Sequence, residues 1–240
     1  MNTRLFLLCL FLGLLSAGKS QELDTAVRNI KYSATGIYNR TPDDHSFVFN
    51  NNLNFGVVKR KMSLTSSTGY VYGVQQSGLT NNDVSSTLDL EFLRKQQKLY
   101  YWVIATYDGS YSLNIDNRFQ AGGGLGYTAV DNKTVYLVLT DGPLFETTTL
   151  VDSEPYQTIR NSFRLKYKIN IKDRVTLSGV NFIQNSVLSL NDYILRASNN
   201  LSLKLNRWLS FTVATTYNRL NLNKKENLLC NFGFSIDYTF

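Results

Sequence analysis

The chain has 240 residues, with 25 Lys and Arg against 18 Asp and Glu, and is 43% apolar, 13% aromatic and only 18% charged. That is one domain's worth of chain; low charge with 15 Tyr and 14 Phe excludes disorder, and three Pro without a Gly-x-y repeat exclude collagen-like and proline-rich architectures. A mean hydropathy of -0.19 is too polar for a bundle of membrane helices, yet the aromatic content is high for a soluble domain.

The first expected element is a secretory leader. Arg4 precedes an apolar run from Leu5 to Leu15, and the small residues Ser16, Ala17 and Gly18 follow, the order of a signal peptide. A run that short falls well below the roughly 20 residues of a membrane-spanning helix. Cleavage is expected after Ser20, leaving residues 21–240 as the mature domain, with a cut after Gly18 as the alternative. The first choice removes Arg4 and Lys19 and lowers the formal charge from +7 to +5. That excess is modest, and an exported chain is not expected to have nucleic acid as a partner. Cys9 lies inside the apolar run, so Cys230 alone remains and no internal disulfide can form. No later segment approaches eighteen consecutive apolar residues, which leaves an exported soluble domain or a β-barrel.

Behind the leader the hydropathy alternates with period two, which places successive side chains on opposite faces of a strand. Twelve strands are expected, near 29–38, 45–57, 62–74, 84–93, 99–107, 112–127, 134–140, 158–171, 174–183, 192–205, 208–218 and 227–240, with ten as the alternative if the region from Lys133 to Thr140 pairs irregularly. In the third, Met62, Leu64, Tyr70, Tyr72 and Val74 alternate with Ser63, Thr65, Ser67, Gly69 and Gly73. In the eighth, Phe163, Leu165, Tyr167, Ile169 and Ile171 alternate with Arg164, Lys166, Lys168 and Asn170. The tenth and eleventh continue the pattern. In the last, Leu228, Cys230, Phe232, Phe234, Ile236, Tyr238 and Phe240 all share one face. That strand is far longer than the usual globular length of about 5 to 6 residues and suits the roughly 9 to 11 of a transmembrane barrel strand.

Connection lengths point the same way. Turns at Val58 to Lys61, Arg94 to Lys98, Lys172-Asp173 and Asn206-Arg207 read as short. Those around Pro42, Gly78, Asp141 to Gln157, Gln184 to Asn191 and Arg219 to Glu226 read as longer. Short turns opposite long loops, with both termini on the short side, are the bacterial outer-membrane rule. A chain ending Phe234, Ile236, Tyr238, Phe240 on one face also resembles the assembly signal of bacterial outer-membrane proteins. The expected fold is therefore all-β, a closed antiparallel transmembrane barrel of about 12 strands in the bacterial outer membrane. Its expected partners are outer-membrane lipid and, during biogenesis, the barrel-assembly machinery.

Arg118 with the Gly122 to Tyr127 run (G-G-G-L-G-Y), the Ser162 to Ile171 strand, Asp192-Tyr193 and the Leu201 to Tyr217 hairpin together resemble the salt-induced outer-membrane proteins classed as domain of unknown function 481. The resemblance implies an outer-membrane barrel and supplies no activity, and it carries over no catalytic residue.

Several constellations invite chemistry and are read as structural. The glycine run fails a G-x-G-x-x-G frame, because Tyr127 or Ala129 occupies its last position, and no helix pattern follows; it is read as relief of crowding in a bending strand. His45 adjoins Ser46, but neighbours on a strand point to opposite faces and should not meet as base and nucleophile. One His and one mature Cys are too few for a zinc or other soft-metal site, so neither metal nor cofactor is expected. Cys230 takes the lipid-facing parity as a small hydrophobe.

By parity Arg160, Arg164, Lys166, Lys168, Arg196 and Lys204 face the lumen, and so do Asp89, Glu91 and Asp116. Twelve strands about 4.8 Å apart and tilted by about 40° enclose a backbone cylinder of roughly 24 Å, half of which side chains consume. Two readings stay open: an anion-favouring pore, or a salt-bridged plug. Trp102 and Trp208, with Tyr100, Tyr101, Tyr107, Tyr127 and Tyr217, lie near strand ends and are expected at the headgroup level. The functional expectation is a non-enzymatic envelope barrel, structural or narrowly conducting. The alternatives are a lipid-modifying hydrolase centred on His45 or a loop serine, and a secreted soluble all-β binding protein.

Overall fold

The structure, a computed structural model, describes residues 26–40, 45–59, 61–92, 98–172, 174–189 and 191–239. The expected leader and Phe240 lie outside them, as does the side chain of His45. Twelve strands follow in chain order: β1 (Val27–Arg40), β2 (His45–Lys59), β3 (Met62–Gln75), β4 (Gly78–Phe92), β5 (Leu99–Ser110), β6 (Ile115–Asp131), β7 (Val135–Leu150), β8 (Tyr156–Ile171), β9 (Val175–Ser186), β10 (Tyr193–Lys204), β11 (Leu209–Leu220) and β12 (Lys225–Thr239). Each pairs antiparallel with the next, and β1 pairs with β12 from Asn29 opposite Thr239 to Thr35 opposite Gly233. The sheet thus closes on itself, satisfying every ladder without an exposed edge. The end holding Val27 and Thr239 is the terminal end; the other is the distal end.

Alternation decides which side chains enter. On β12 Phe232, Phe234, Ile236 and Tyr238 are exposed on the outer wall while Asn231 and Ser235 are buried inside. On β2 Phe47, Phe49 and Leu53 point out and Asn50 points in. The outer wall is consequently apolar over most of its area. Polar pairs interrupt it: Asp141 on β7 accepts a hydrogen bond from Asn161 Nδ2 on β8 at 3.0 Å, and Asn51 on β2 accepts one from Tyr32 Oη on β1 at 2.7 Å.

The largest departures from the expected boundaries are at β7 and β4. β7 does not stop at Thr140 but runs through Asp141-Gly142-Pro143 to Leu150, so the expected loop from Asp141 to Gln157 is mostly strand. That tripeptide reads as a turn because proline lacks the ladder donor. Here the sheet tolerates it because glycines lie opposite. A Cβ on Gly124 would sit 2.2 Å from the Asp141 carbonyl oxygen, and one on Gly142 would sit 2.4 Å from that of Gly123. Similarly β4 begins at Gly78, which adopts φ 123° directly after the Gln76-Ser77 turn. The connections between strands are therefore short at both ends, and the expected difference in length is absent.

Candidate functional site inside the barrel

The lumen is divided lengthwise. Strands β4 to β10 contribute nearly all its charge and aromatic bulk, whereas β1 to β3 and β11 to β12 contribute mainly Asn, Ser and Thr.

Three ion-pair groups occupy the charged side. Near the distal end Arg160 is fully buried; its Nε and Nη2 donate to Glu146 at 2.8 and 2.9 Å, and Nη2 also reaches the Asp192 carboxylate at 2.8 Å. Tyr156 Oη donates to the same Glu146 at 3.1 Å. Also toward the distal end, Asp108 on β5 accepts from Arg118 on β6 at 3.0 Å and, from across the lumen, from Arg196 on β10 at 2.6 Å. Toward the terminal end Arg164 meets Asp89 at 2.7 Å, and Lys166 bridges Asp89 at 3.3 Å and Glu91 at 2.6 Å. These last contacts run from β8 to β4, a chord across the barrel. The three groups hold five cations and five carboxylates, so their charges cancel.

Aromatic packing fixes the third group. Gly122, Gly124 and Gly126 are successive inward positions of β6, opposite Ile104, Trp102 and Tyr100 of β5. The Tyr100 ring lies where a Cβ of Gly126 would be, 2.3 Å from the nearest ring atom. Trp102 packs with Tyr100, Val138 and Leu144 in an apolar cluster inside the lumen. Its Nε1 donates to the Leu125 carbonyl at 3.1 Å, and the Arg164 guanidinium stands 5.2 Å from the ring centroid. Gly126 is thus a slot for the Tyr100 ring, while Gly122 and Gly124 admit the backbone of β7.

The distal mouth is spanned by backbone. The β5–β6 turn, residues 111–114, reaches the β11–β12 side, diametrically opposite in a twelve-strand ring. There Asn223 Nδ2 donates to the Leu113 carbonyl at 2.7 Å and Asn227 Nδ2 to Ser112 Oγ at 2.9 Å. Asp83 anchors the turn, accepting from Ser110 Oγ at 2.8 Å and from Ser112 N and Oγ at 3.0 and 2.8 Å. Below it Leu113, Ile115, Ile194 and Leu220 form a second apolar cluster. Between the two sides runs a cavity of about 500 Å³, lined by residues such as Thr35, Asn50 and Thr212 on one and by the paired Asp89, Arg164 and Arg196 on the other.

Of the residues expected in the lumen, Arg160, Arg164, Lys166, Arg196, Asp89 and Glu91 are brought together as paired groups. Lys168 and Lys204 are exposed toward the terminal ends of their strands and, among the described residues, join no ion pair. Asp116 is corrected: it is exposed, because the register of β6 shifts between Ile115 and Asn117 and breaks the alternation there. Trp102 is also corrected. It is 3% exposed inside the lumen, on the same parity as Thr106 and Asp108, so of the two expected interfacial tryptophans only Trp208, 52% exposed beside the Asn206-Arg207 turn, lies at the surface. Tyr100 moves inside with Trp102. Cys230 is exposed on the outer wall. Glu146 and Asp108 escaped the sequence reading because they lay beyond the expected ends of β7 and β5. The continued alternation of Leu144, Glu146 and Thr148 with Phe145 and Thr147 was the available signal.

Residues 39–240 match the family model described as protein of unknown function, DUF481. Among curated proteins no sequence matches the chain. Among solved structures the chain is similar to an outer-membrane channel from Pseudomonas putida F1, at 10% identity over 93% of this chain and 98% of that one, with a TM-score of 0.50. It is also similar to the translocator domain of the autotransporter NalP from Neisseria meningitidis, at 11% identity over 97% and 95% with a TM-score of 0.48. Likeness to the NanC porin is 8% identity over 88% and 98%, with a TM-score of 0.48. The Pseudomonas match shows the fold, that of an outer-membrane β-barrel.

Proposed function

The chain belongs to the DUF481 family, and from that premise we propose that it is a non-enzymatic outer-membrane barrel acting as a narrow channel for small polar solutes. Its terminal end faces the periplasm, its apolar wall meets membrane lipid, and Phe234, Ile236 and Tyr238 present the outer face of the last strand to the assembly machinery. The observation that carries the reading is the lengthwise division of the lumen. Ion pairs and rings crowd one side, and between them and the amides and hydroxyls of the other lies a cavity of about 500 Å³. Because five cations face five carboxylates, the basic row does not act as an anion ladder. Focusing of anions by a charged cleft requires an uncompensated field.

Planar-bilayer recording of the purified protein tests this. Small, weakly selective conductance is the expected result; strong anion preference, or no current at all, would overturn it. Hydrolysis of membrane lipid that disappears in His45→Ala would instead establish the enzymatic alternative.

A further inference from the structure

The turns at the two ends of the barrel differ sharply in charge. At the terminal end the described turn residues hold six cations, Lys61, Lys98, Lys133, Lys172, Arg174 and Arg207, and no acid. Each of the five turns there contributes at least one, and all six are exposed. Arg28, exposed at the start of β1, fills the remaining gap where β1 meets β12. Asp131 and Asp237, on strand ends, are the exposed acids at this end among the described residues. The described turns of the distal end reverse the balance, with Lys224 against Asp152, Glu154 and Asp192.

The cations form a ring. Successive turns join every second pair of strands, so they recur about 10 Å apart around the rim, on all sides. An acidic protein docking from one side would call for a patch, whereas a ring matches a partner that itself surrounds the barrel. Exposed aromatics share this level: Tyr101 and Tyr127 on the outer wall near the starts and ends of their strands, Trp208 beside Arg207, and Tyr238 near the end of β12. Lys98 Nζ lies 5.9 Å from the Tyr127 ring centroid, so this cation is laid against the outer wall rather than over the lumen. Amphipathic rings beside exposed cations are the arrangement that meets lipid headgroups.

We infer that the terminal rim is a binding collar for anionic phospholipid headgroups of the leaflet that surrounds it. The inference rests on the outer-membrane barrel fold and not on conduction, so it stands or falls separately from the channel reading. Its physics is the attraction of clustered Lys and Arg to an anionic lipid surface, which falls off within a Debye length.

Electron spin resonance tests it, with the full chain reconstituted in phosphatidylcholine vesicles that carry spin-labelled phosphatidylglycerol or spin-labelled phosphatidylcholine as probe. At low salt the barrel should immobilise phosphatidylglycerol about twofold more strongly than phosphatidylcholine, and the preference should vanish near 1 M salt, where the Debye length is about 3 Å. A variant combining Lys61→Gln, Lys133→Gln, Lys172→Gln, Arg174→Gln and Arg207→Gln should lose the preference. The distal control Lys224→Gln/Lys225→Gln should keep it. Heat-modifiable gel migration establishes whether each variant is folded, and if the multiple variant is not, the salt series on the wild-type chain decides. Equal immobilisation of the two probes at low salt would overturn the assignment and leave the collar to an acidic periplasmic macromolecule. So would a preference untouched by salt.

Discussion

Arg160 shows what one residue contributes to this lumen. Its guanidinium is fully buried and shared between the carboxylates of Glu146 and Asp192, with the Asp192 carbonyl accepting from Nη1 at 3.1 Å. A buried pair contributes little net stability against an apolar replacement, but removing one partner strands the other and costs about 3–5 kcal/mol. Arg160→Ala is therefore expected to lower the temperature at which the folded band converts to the unfolded one, and Arg160→Ala combined with Glu146→Leu should recover part of the loss. Gly124 makes a steric argument at the same scale. A Cβ there has backbone, not a flexible side chain, 2.2 Å away, whereas one on Gly56 meets nothing within 4 Å. Gly124→Ala should cost at least about 1–3 kcal/mol as overpacking does, with Gly56→Ala near neutral, both read by urea unfolding in lipid. Most inward residues were legible in the sequence because parity is a strict geometric rule. Asp116 was not, since a single register shift inverts the rule locally. Trp102 differs for another reason: an aromatic near a strand end reads as interfacial by type, whereas the parity it shares with Thr106 and Asp108 is what places it inside.

At the scale of elements, the β5–β6 turn carries the clearest consequence. Tyr111, Leu113 and Ile115 alternate with Ser112 and Asn114, so the sequence reads as an uninterrupted strand start. The chain instead turns at Asn114, whose φ of 54° is left-handed, a conformation Asn tolerates better than most residues. That single residue lets the turn cross the mouth and lets Leu113 drop onto Ile194 and Leu220. Asp83 then holds it with three accepted hydrogen bonds. Asp83→Ala leaves those donors to solvent and frees the turn. The expected outcome is a larger, more rapidly fluctuating bilayer conductance with no loss of the heat-modifiable band; an unchanged current would show that the cavity opens elsewhere. β7 makes the complementary point. Asp141-Gly142-Pro143 carries every local signal of a turn; the alternation that resumes at Leu144 hints at a strand, and the facing glycines of β6, distant in sequence, are what let it pass straight through. Local chemistry cannot report a partner that approaches from twenty residues away.

For the molecule as a whole, the decisive property is that the ion-pair groups cancel inside while charge is unbalanced at the rim. The positive ladder of β8 was legible from alternation alone. Its cancellation was not, because alternation says which face a residue takes and nothing of which strand stands across the lumen. The closed strand order supplies that: β4 lies four strands from β8, and Asp89 and Glu91 reach Arg164 and Lys166 along the chord. Replacing Arg164, Lys166 and Lys168 together with Gln removes two paired cations and one unpaired one, leaving Asp89 and Glu91 uncompensated against the cavity. Two consequences should appear together. Reversal potentials in a potassium chloride gradient should shift toward cation preference, because uncompensated carboxylates within low-dielectric walls concentrate the field. Thermal conversion of the folded band should also occur at lower temperature, because buried carboxylates have lost their partners. Adding Asp89→Asn and Glu91→Gln to the triple variant should return the reversal potential close to that of the original protein, since neutral amides then face neutral amides. A triple variant with both the original selectivity and the original stability would mean that the β4–β8 chord does not form in the membrane.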